Sequence, residues 1–277
     1  MPEMLIEQGV AQVLGGRVAH DDEIGVRYGF TEDGRATLEL PFASFLAEAG
    51  ASRIGIGPLA TILDSACGIG AMKALGFQES TATVDLRIDY LRDLSPGASC
   101  LVVATPVDVG GRPGAGMVMM RAEAWQKGGE SPVAYAAGRF IRRRLPSGKA
   151  PPDRPLTFPP ANAGDYRTLM GFTPDAAGLR MPFRPGLVGN GSLPSLHGGA
   201  IAAHMQQAAC EALAAESGRP ARLVSAHFSF LRFAGAADTV ACAAITRLGA
   251  SVASVEVTSR QESGRPTTRG MFTFVWS

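Results

Sequence analysis

The 277-residue chain has only four cysteines, and none of them forms a Cys-x-x-Cys pair. That leaves no spacing for a metal or dithiol motif. Cys67, Cys100, Cys210 and Cys242 sit in apolar runs and are expected to be buried free thiols of a cytoplasmic protein. Net charge is nearly absent, formally +1, so the basic excess of a nucleic-acid binder is missing. No apolar run approaches the ~20 residues of a membrane span. Met1 to Gly15 carries Glu3 and Glu7 without a basic region, so it is not expected to be a secretory signal. No Gly-x-Ser-x-Gly elbow supports a serine hydrolase. The segment Gly110-Gly111-Arg112-Pro113-Gly114 lacks the Lys-Ser/Thr ending of a phosphate loop.

What is present is a repeat. Gly57-Pro58-Leu59-Ala60-Thr61-Ile62-Leu63-Asp64-Ser65-Ala66 answers to Gly199-Ala200-Ile201-Ala202-Ala203-His204-Met205-Gln206-Gln207-Ala208. The offset, 199 minus 57, is 142, and it also pairs Thr83 with Ser225 and Cys100 with Cys242. The copies have lost different parts. The first keeps an acid, Asp64, opposite Gln206; the second keeps His197-Gly198-Gly199 opposite Gly55-Ile56-Gly57. Two incomplete half-sites point to one composite site between two like domains.

Each half carries the same order of elements. Met4 to Leu14 is an amphipathic helix, followed by a hairpin, 26–30 and 36–40, closed by an Asp-Gly turn. A helix is predicted from Pro58 to Leu75, with proline at its first position and Gly76 beyond its end. Strands follow at 81–90, 99–109, 116–125 and 133–141. Prolines 146, 151, 152, 155, 159 and 160 mark a stiff linker. The domains are therefore placed at 1–145 and 163–277, with 146–162 between them. The second domain repeats a strand near 179–183, a helix from Gly199 to Glu216 capped by Gly218, and strands at 223–233, 239–248, 251–259 and 267–276. The fold class is α+β, each sheet curled around one long helix. Gly68 and Gly70 each cost that helix ~1 kcal/mol relative to alanine, so close backbone approach is expected there.

Leu196-His197-Gly198-Gly199-Ala200-Ile201 before a helix, with a following strand such as Thr83-Val84-Asp85-Leu86-Arg87, resembles the PaaI-like hotdog-fold acyl-CoA thioesterases in tandem, double-hotdog form. The resemblance implies one thioester site between the paired domains. It assigns Gly198 as the backbone N–H donor to the carbonyl oxygen, Gly199 to substrate binding, Asn190 and Thr83 to holding the water, and Asp64 as base or nucleophile. His197 is expected to orient the turn more than to move protons. No cofactor beyond the coenzyme A of the substrate is implied, and no metal. An acyl-carrier thioester is the other substrate type. Exposed sheet edges leave room for a homodimer of double-hotdog chains.

Chemistry supports the assignment independently. A helix N-terminus favours the negative charge that develops on an attacked carbonyl, and a carboxylate among apolar neighbours can activate water. The counterpart pairing Gln206 with Gly55-Ile56-Gly57 has no acid and is expected to be catalytically dead. Arg139, Arg142, Arg143 and Arg144 either meet coenzyme A phosphates or keep a strand end solvated. His204 is expected to be a packing histidine. Two other functions compete: a non-catalytic acyl-thioester binding protein with both sites degraded, and a hotdog acyl-CoA hydratase or dehydratase.

Overall fold

Alternating apolar residues decide where the sheet turns its inner face. Ala36–Leu40 buries Ala36, Leu38 and Leu40, and Val252–Arg260 buries every second residue, as a strand half covered by other layers must. The computed structural model describes residues 2–145, 164–191, 194–262 and 264–276. In chain order the elements are α1 (Pro2–Leu14), α2 (Ala19–Ile24), β1 (Arg27–Phe30), β2 (Ala36–Leu40), α3 (Ile56–Ala74), β3 (Glu79–Tyr90), β4 (Cys100–Val109), β5 (Met117–Gln126) and β6 (Pro132–Arg144). Then follow α4 (Tyr166–Met170), β7 (Thr173–Asp175), β8 (Gly178–Met181), β9 (Val188–Asn190), β10 (Ser195–Leu196), α5 (Gly198–Ser217), β11 (Ala221–Phe230), β12 (Thr239–Leu248), β13 (Val252–Arg260) and β14 (Pro266–Trp276).

Two hotdog domains join into one antiparallel sheet. Its order among the described residues is β1-β2-β4-β5-β6-β3-β11-β14-β13-β12-β8-β7. The seam is β3 against β11, where Leu86 lies opposite Phe228. Those two residues are themselves separated by 142, so a pseudo-two-fold axis passes through this pair and the sequence repeat becomes a symmetry of the molecule. The helices meet about the same axis. A Cβ on Gly57 would lie 3.4 Å from the Ala203 methyl, and one on Gly199 would lie 2.5 Å from Thr61 Cα. Fourteen of the nineteen residues of α3 are buried, because it is enclosed by its sheet on one side and by α5 on the other.

Some expectations shift. The helix expected at Pro58 begins two residues earlier, at Ile56, with Gly55 as its N-cap. Proline is still tolerated there, because the first-turn N–H groups have no partner within the helix. Gly76 has φ 62°, and Gly218, at the end of α5, has φ 60°, the left-handed turn that glycine adopts without cost. A Cβ on Gly70 would lie 2.7 Å from the Met120 methyl, a side-chain and not a backbone neighbour, and one on Gly68 would meet nothing nearer than the Phe140 ring at 3.7 Å. Cys67 and Cys100 are buried; Cys210 and Cys242 are only half-buried. The strand expected to run to Phe233 stops at Phe230. The expected linker, 146–162, lies outside the described residues.

His204 is a packing residue. Its ring stacks on Phe172 at 5.2 Å, its Nε2 is 2.9 Å from the Leu179 carbonyl, and burial pushes its pKa from 6.5 down to about 4. Above pH 6.5 the ring is neutral in folded and unfolded chains alike. As pH falls from 6.5 to 4 only the unfolded chain takes up the proton, so this residue withdraws about 3 kcal/mol of stability across that window. Chemical denaturation at pH 7 and pH 4.5 should show a smaller difference for His204→Phe than for the wild type.

Candidate active site

The start of α5 reaches across to the middle of α3, and both glycines of the His-Gly-Gly turn are there for space. A Cβ on Gly198 would lie 2.7 Å from Asp64 Oδ2. Asp64 comes from the first domain and His197, Gly198 and Gly199 from the second, so the two half-sites do meet. Asp64 is 4% exposed. Its Oδ1 accepts a hydrogen bond from Thr83 Oγ1 at 3.0 Å, its carboxylate accepts the Gly199 N–H, and its Oδ2 lies 3.9 Å from His197 Nε2. Burial raises the Asp64 pKa above its ordinary value, while His197, Thr83 and Gly199 pull in the opposite direction. Thr83 stands beside a register shift between β3 and β6, the kind of bulge that re-aims a strand side chain.

The N-terminal donors of α5 are divided. Ala200 N–H goes to His197 Nδ1 at 3.3 Å, and Gly199 N–H goes to Asp64. Gly198, on the wall of a cavity of about 360 Å³, carries the remaining N–H of that turn. The same cavity is lined by Asp64, Thr83, Asn190 and His197. It continues past Asp64 along α3, by Ser65, Gly68, Ile69 and Met72. Gly68 therefore leaves room for a ligand where close packing was expected. Every residue expected at the site borders this one cavity except Gly199, which lies behind it against Thr61.

A buried chain behind His197 was not foreseen. Ser65 Oγ donates to Asp21 Oδ1 at 2.6 Å and lies 3.0 Å from His197 Nε2. Tyr28 donates to the other oxygen of Asp21 at 2.8 Å. Since His197 Nδ1 accepts from Ala200, Nε2 carries the hydrogen and donates it to Ser65. Both ring nitrogens are thereby committed, an arrangement suited to orienting the turn. The signal available in sequence was the acidic run Asp21-Asp22-Glu23, which looks like a solvated surface until Tyr28 and Ser65 are placed against it. Ser65→Ala should leave the His197 N–H unpaired, costing about 1–3 kcal/mol in urea denaturation. If His197 holds the turn in place, kcat should fall while KM stays close to wild type.

The arginine cluster divides. Arg139 pairs with Asp85 at 3.1 Å, Arg142 is buried against Glu79 and the carbonyls of Gly110 and Gly111, and Arg143 borders the cavity. At the symmetry-related position Gln206 stands in place of the acid and donates to the Tyr90 hydroxyl.

Comparison with known proteins agrees with this architecture. A model described as "Thioesterase superfamily" matches residues 57–133, and one described as "Acyl-CoA thioesterase N-terminal domain" matches residues 190–275. These are 77 and 86 residues, together more than half of the 277. Among solved structures, the TesB protein of Mycobacterium avium subsp. paratuberculosis superposes with a TM-score of 0.60 at 14% identity, covering 87% of this chain and 93% of that one. A hot-dog-fold protein of unknown function from Alicyclobacillus acidocaldarius gives 0.58 at 14% identity, covering 94% and 98%. The 12:0-ACP thioesterase of Umbellularia californica gives 0.57 at 10%, covering 87% and 94%. No curated protein sequence matches the chain. The fold and the two domain models define a class, the hotdog thioester hydrolases. Each half of the chain carries one domain that matches a thioesterase family model.

Proposed function

We propose that the protein hydrolyses acyl-CoA thioesters at a single composite site, as a PaaI-like enzyme in tandem form. The observation that carries this reading is the buried Asp64 carboxylate of one domain set against the helix start of the other, at the head of an apolar cavity. In the proposed step Asp64 takes a proton from water as the resulting hydroxide attacks the thioester carbonyl. The oxyanion forms at Gly198 N–H, where the α5 dipole stabilises it. Collapse expels the thiolate, which recovers the proton from Asp64. Thr83 holds the carboxylate, Asn190 lines the water's approach, and Arg143 is placed to meet coenzyme A phosphate. A direct attack by Asp64, giving an acyl anhydride, uses the same residues.

Free-thiol release from a panel of short, medium, long and aromatic acyl-CoAs, with acyl-carrier thioesters beside them, tests the proposal. Activity abolished in Asp64→Ala and retained in Gln206→Ala supports one composite site. Binding of acyl-CoA without turnover of any member would replace it with the non-catalytic reading. Among the described residues no helix is long and apolar enough to cross a membrane. Placement in the cytoplasm and pairing into a homodimer belong to the same proposal.

A further inference from the structure

The second site has lost its acid but not its cavity. On the opposite side of the pseudo-two-fold axis lies a space of about 540 Å³, larger than the 360 Å³ of the first. Its walls are the repeat partners of the first cavity's walls. Leu59 stands for Ile201, Leu223 for Thr81, Cys210 for Gly68 and Ala214 for Met72, each pair separated by 142. Where Gly198 N–H would donate to a carbonyl oxygen, Ile56 takes the helix start. Its body is apolar, built from Ile54, Leu59, Leu213, Leu223 and Phe274.

The rim has been rebuilt with charge. Arg53, Arg92, Arg219 and Arg222 border this cavity, against Glu48 and Asp93. None of the four arginines is inherited from the repeat, because their partners at the 142 offset are Ser195, Ala234, Phe77 and Ser80. Two are held in position: Arg219 lies over the Trp276 ring at 4.1 Å, and Arg222 donates to the Tyr90 carbonyl at 3.4 Å. Arg53 is paired with Asp93 at 3.0 Å. Simple decay of a redundant site gives no account of an open apolar cavity with four cations gathered at its mouth. Guanidinium groups fixed at a mouth recognise carboxylate or phosphate, and the apolar body recognises a chain.

We propose that this second cavity binds an amphipathic anion, an apolar chain with an anionic head, without hydrolysing it. The head is either the carboxylate of a free fatty acid or the phosphates of an acyl-CoA. The site stands apart from the reading of the first cavity, since neither Asp64 nor Gly198 takes part.

Titration calorimetry of the full chain tests it with two probes, dodecanoate and the non-hydrolysable thioether S-dodecyl-coenzyme A. The expected result is two sites per chain across the two probes. Charge reversal of Arg219 and Arg222 to glutamate together should weaken one of them 10-fold or more, and more so at low salt. Ala214→Trp, which narrows the cavity, should abolish the same site, and both variants should keep wild-type thioester turnover. Loss of dodecanoate binding identifies a carboxylate ligand and loss of thioether binding identifies coenzyme A phosphates; either supports the proposal. One site per chain for each probe, untouched by both variants, overturns it. If the hydrolase reading fails instead, turnover is absent while the two-site titration and its arginine dependence persist.

Discussion

Asp64→Asn is expected to lower kcat by about 10²–10⁴, the contribution of a positioned general base, with KM close to wild type. The substitution keeps the size of the side chain and one carbonyl oxygen to accept from Thr83. It removes the charge and presents an amide N–H₂ where the site offers a donor, the Gly199 N–H. A folding defect would be separable, because the variant should melt with the cooperativity of the wild type while thiol release is lost. The pH profile adds a second signature. Burial raises the Asp64 pKa, so the carboxylate proposed as the base is lost as pH falls through a value higher than an exposed aspartate would show. The acid limb of kcat/KM should therefore lie above the ordinary aspartate range and be absent from the residual activity of Asp64→Asn. Single turnover in H₂¹⁸O separates the two chemical routes. An anhydride hydrolysed at the Asp64 carbonyl places ¹⁸O in Asp64, whereas a water-activating Asp64 stays unlabelled; an anhydride hydrolysed at the acyl carbonyl also leaves it unlabelled and is told apart by trapping the acyl-enzyme with hydroxylamine.

The strands and both long helices were legible because their signal is local. Alternation in β13 and the small, apolar run of α3 do not depend on knowing what packs against them. The meeting of Asp64 with the His-Gly-Gly turn was legible for a different reason. The repeat let one copy be read against the other, and the losses at Gln206 and at Gly55-Ile56-Gly57 were complementary. What stayed hidden depends on partners far along the chain. His20, Asp21 and Glu23 are buried in α2, which sequence alone presents as an exposed acidic turn. Tyr28 and Ser65 supply the partners of Asp21, Tyr166 lies 3.3 Å from His20, and Arg184 pairs with Glu23. The last of these reaches across 161 positions, and no periodicity encodes such a meeting. The role of Gly68 was misjudged for a related reason. A missing side chain has the same sequence signature whether it admits a neighbouring backbone or leaves a cavity open.

Gly199→Ala is expected to be the most destabilising single methyl that the site can receive. In a helix interior alanine would gain up to about 1 kcal/mol over glycine, and at most positions of α5 that gain would decide the sign. Here the new Cβ would sit 2.5 Å from Thr61 Cα and 2.9 Å from the Thr61 carbonyl oxygen. Both are backbone atoms of α3, which is wedged between the sheet and α5 and has no free direction to move. Overpacking of a rigid contact costs about 1–3 kcal/mol and sometimes more, enough to exceed the propensity gain. The repeat supplies the control. Gly57 occupies the equivalent place, but its Cβ would meet the Tyr166 ring at 2.7 Å and the Ala203 methyl at 3.4 Å, both of them side-chain atoms. Gly57→Ala should therefore lose less stability in chemical denaturation than Gly199→Ala. Turnover should separate the pair further. Relief at residue 199 requires α5 to back away from α3, which draws the Gly199 N–H off Asp64 and moves Gly198, the proposed oxyanion donor, with it. Equal losses in the two variants would show that the helices adjust symmetrically, and that the close contact at Gly199 does not set the geometry of the acid.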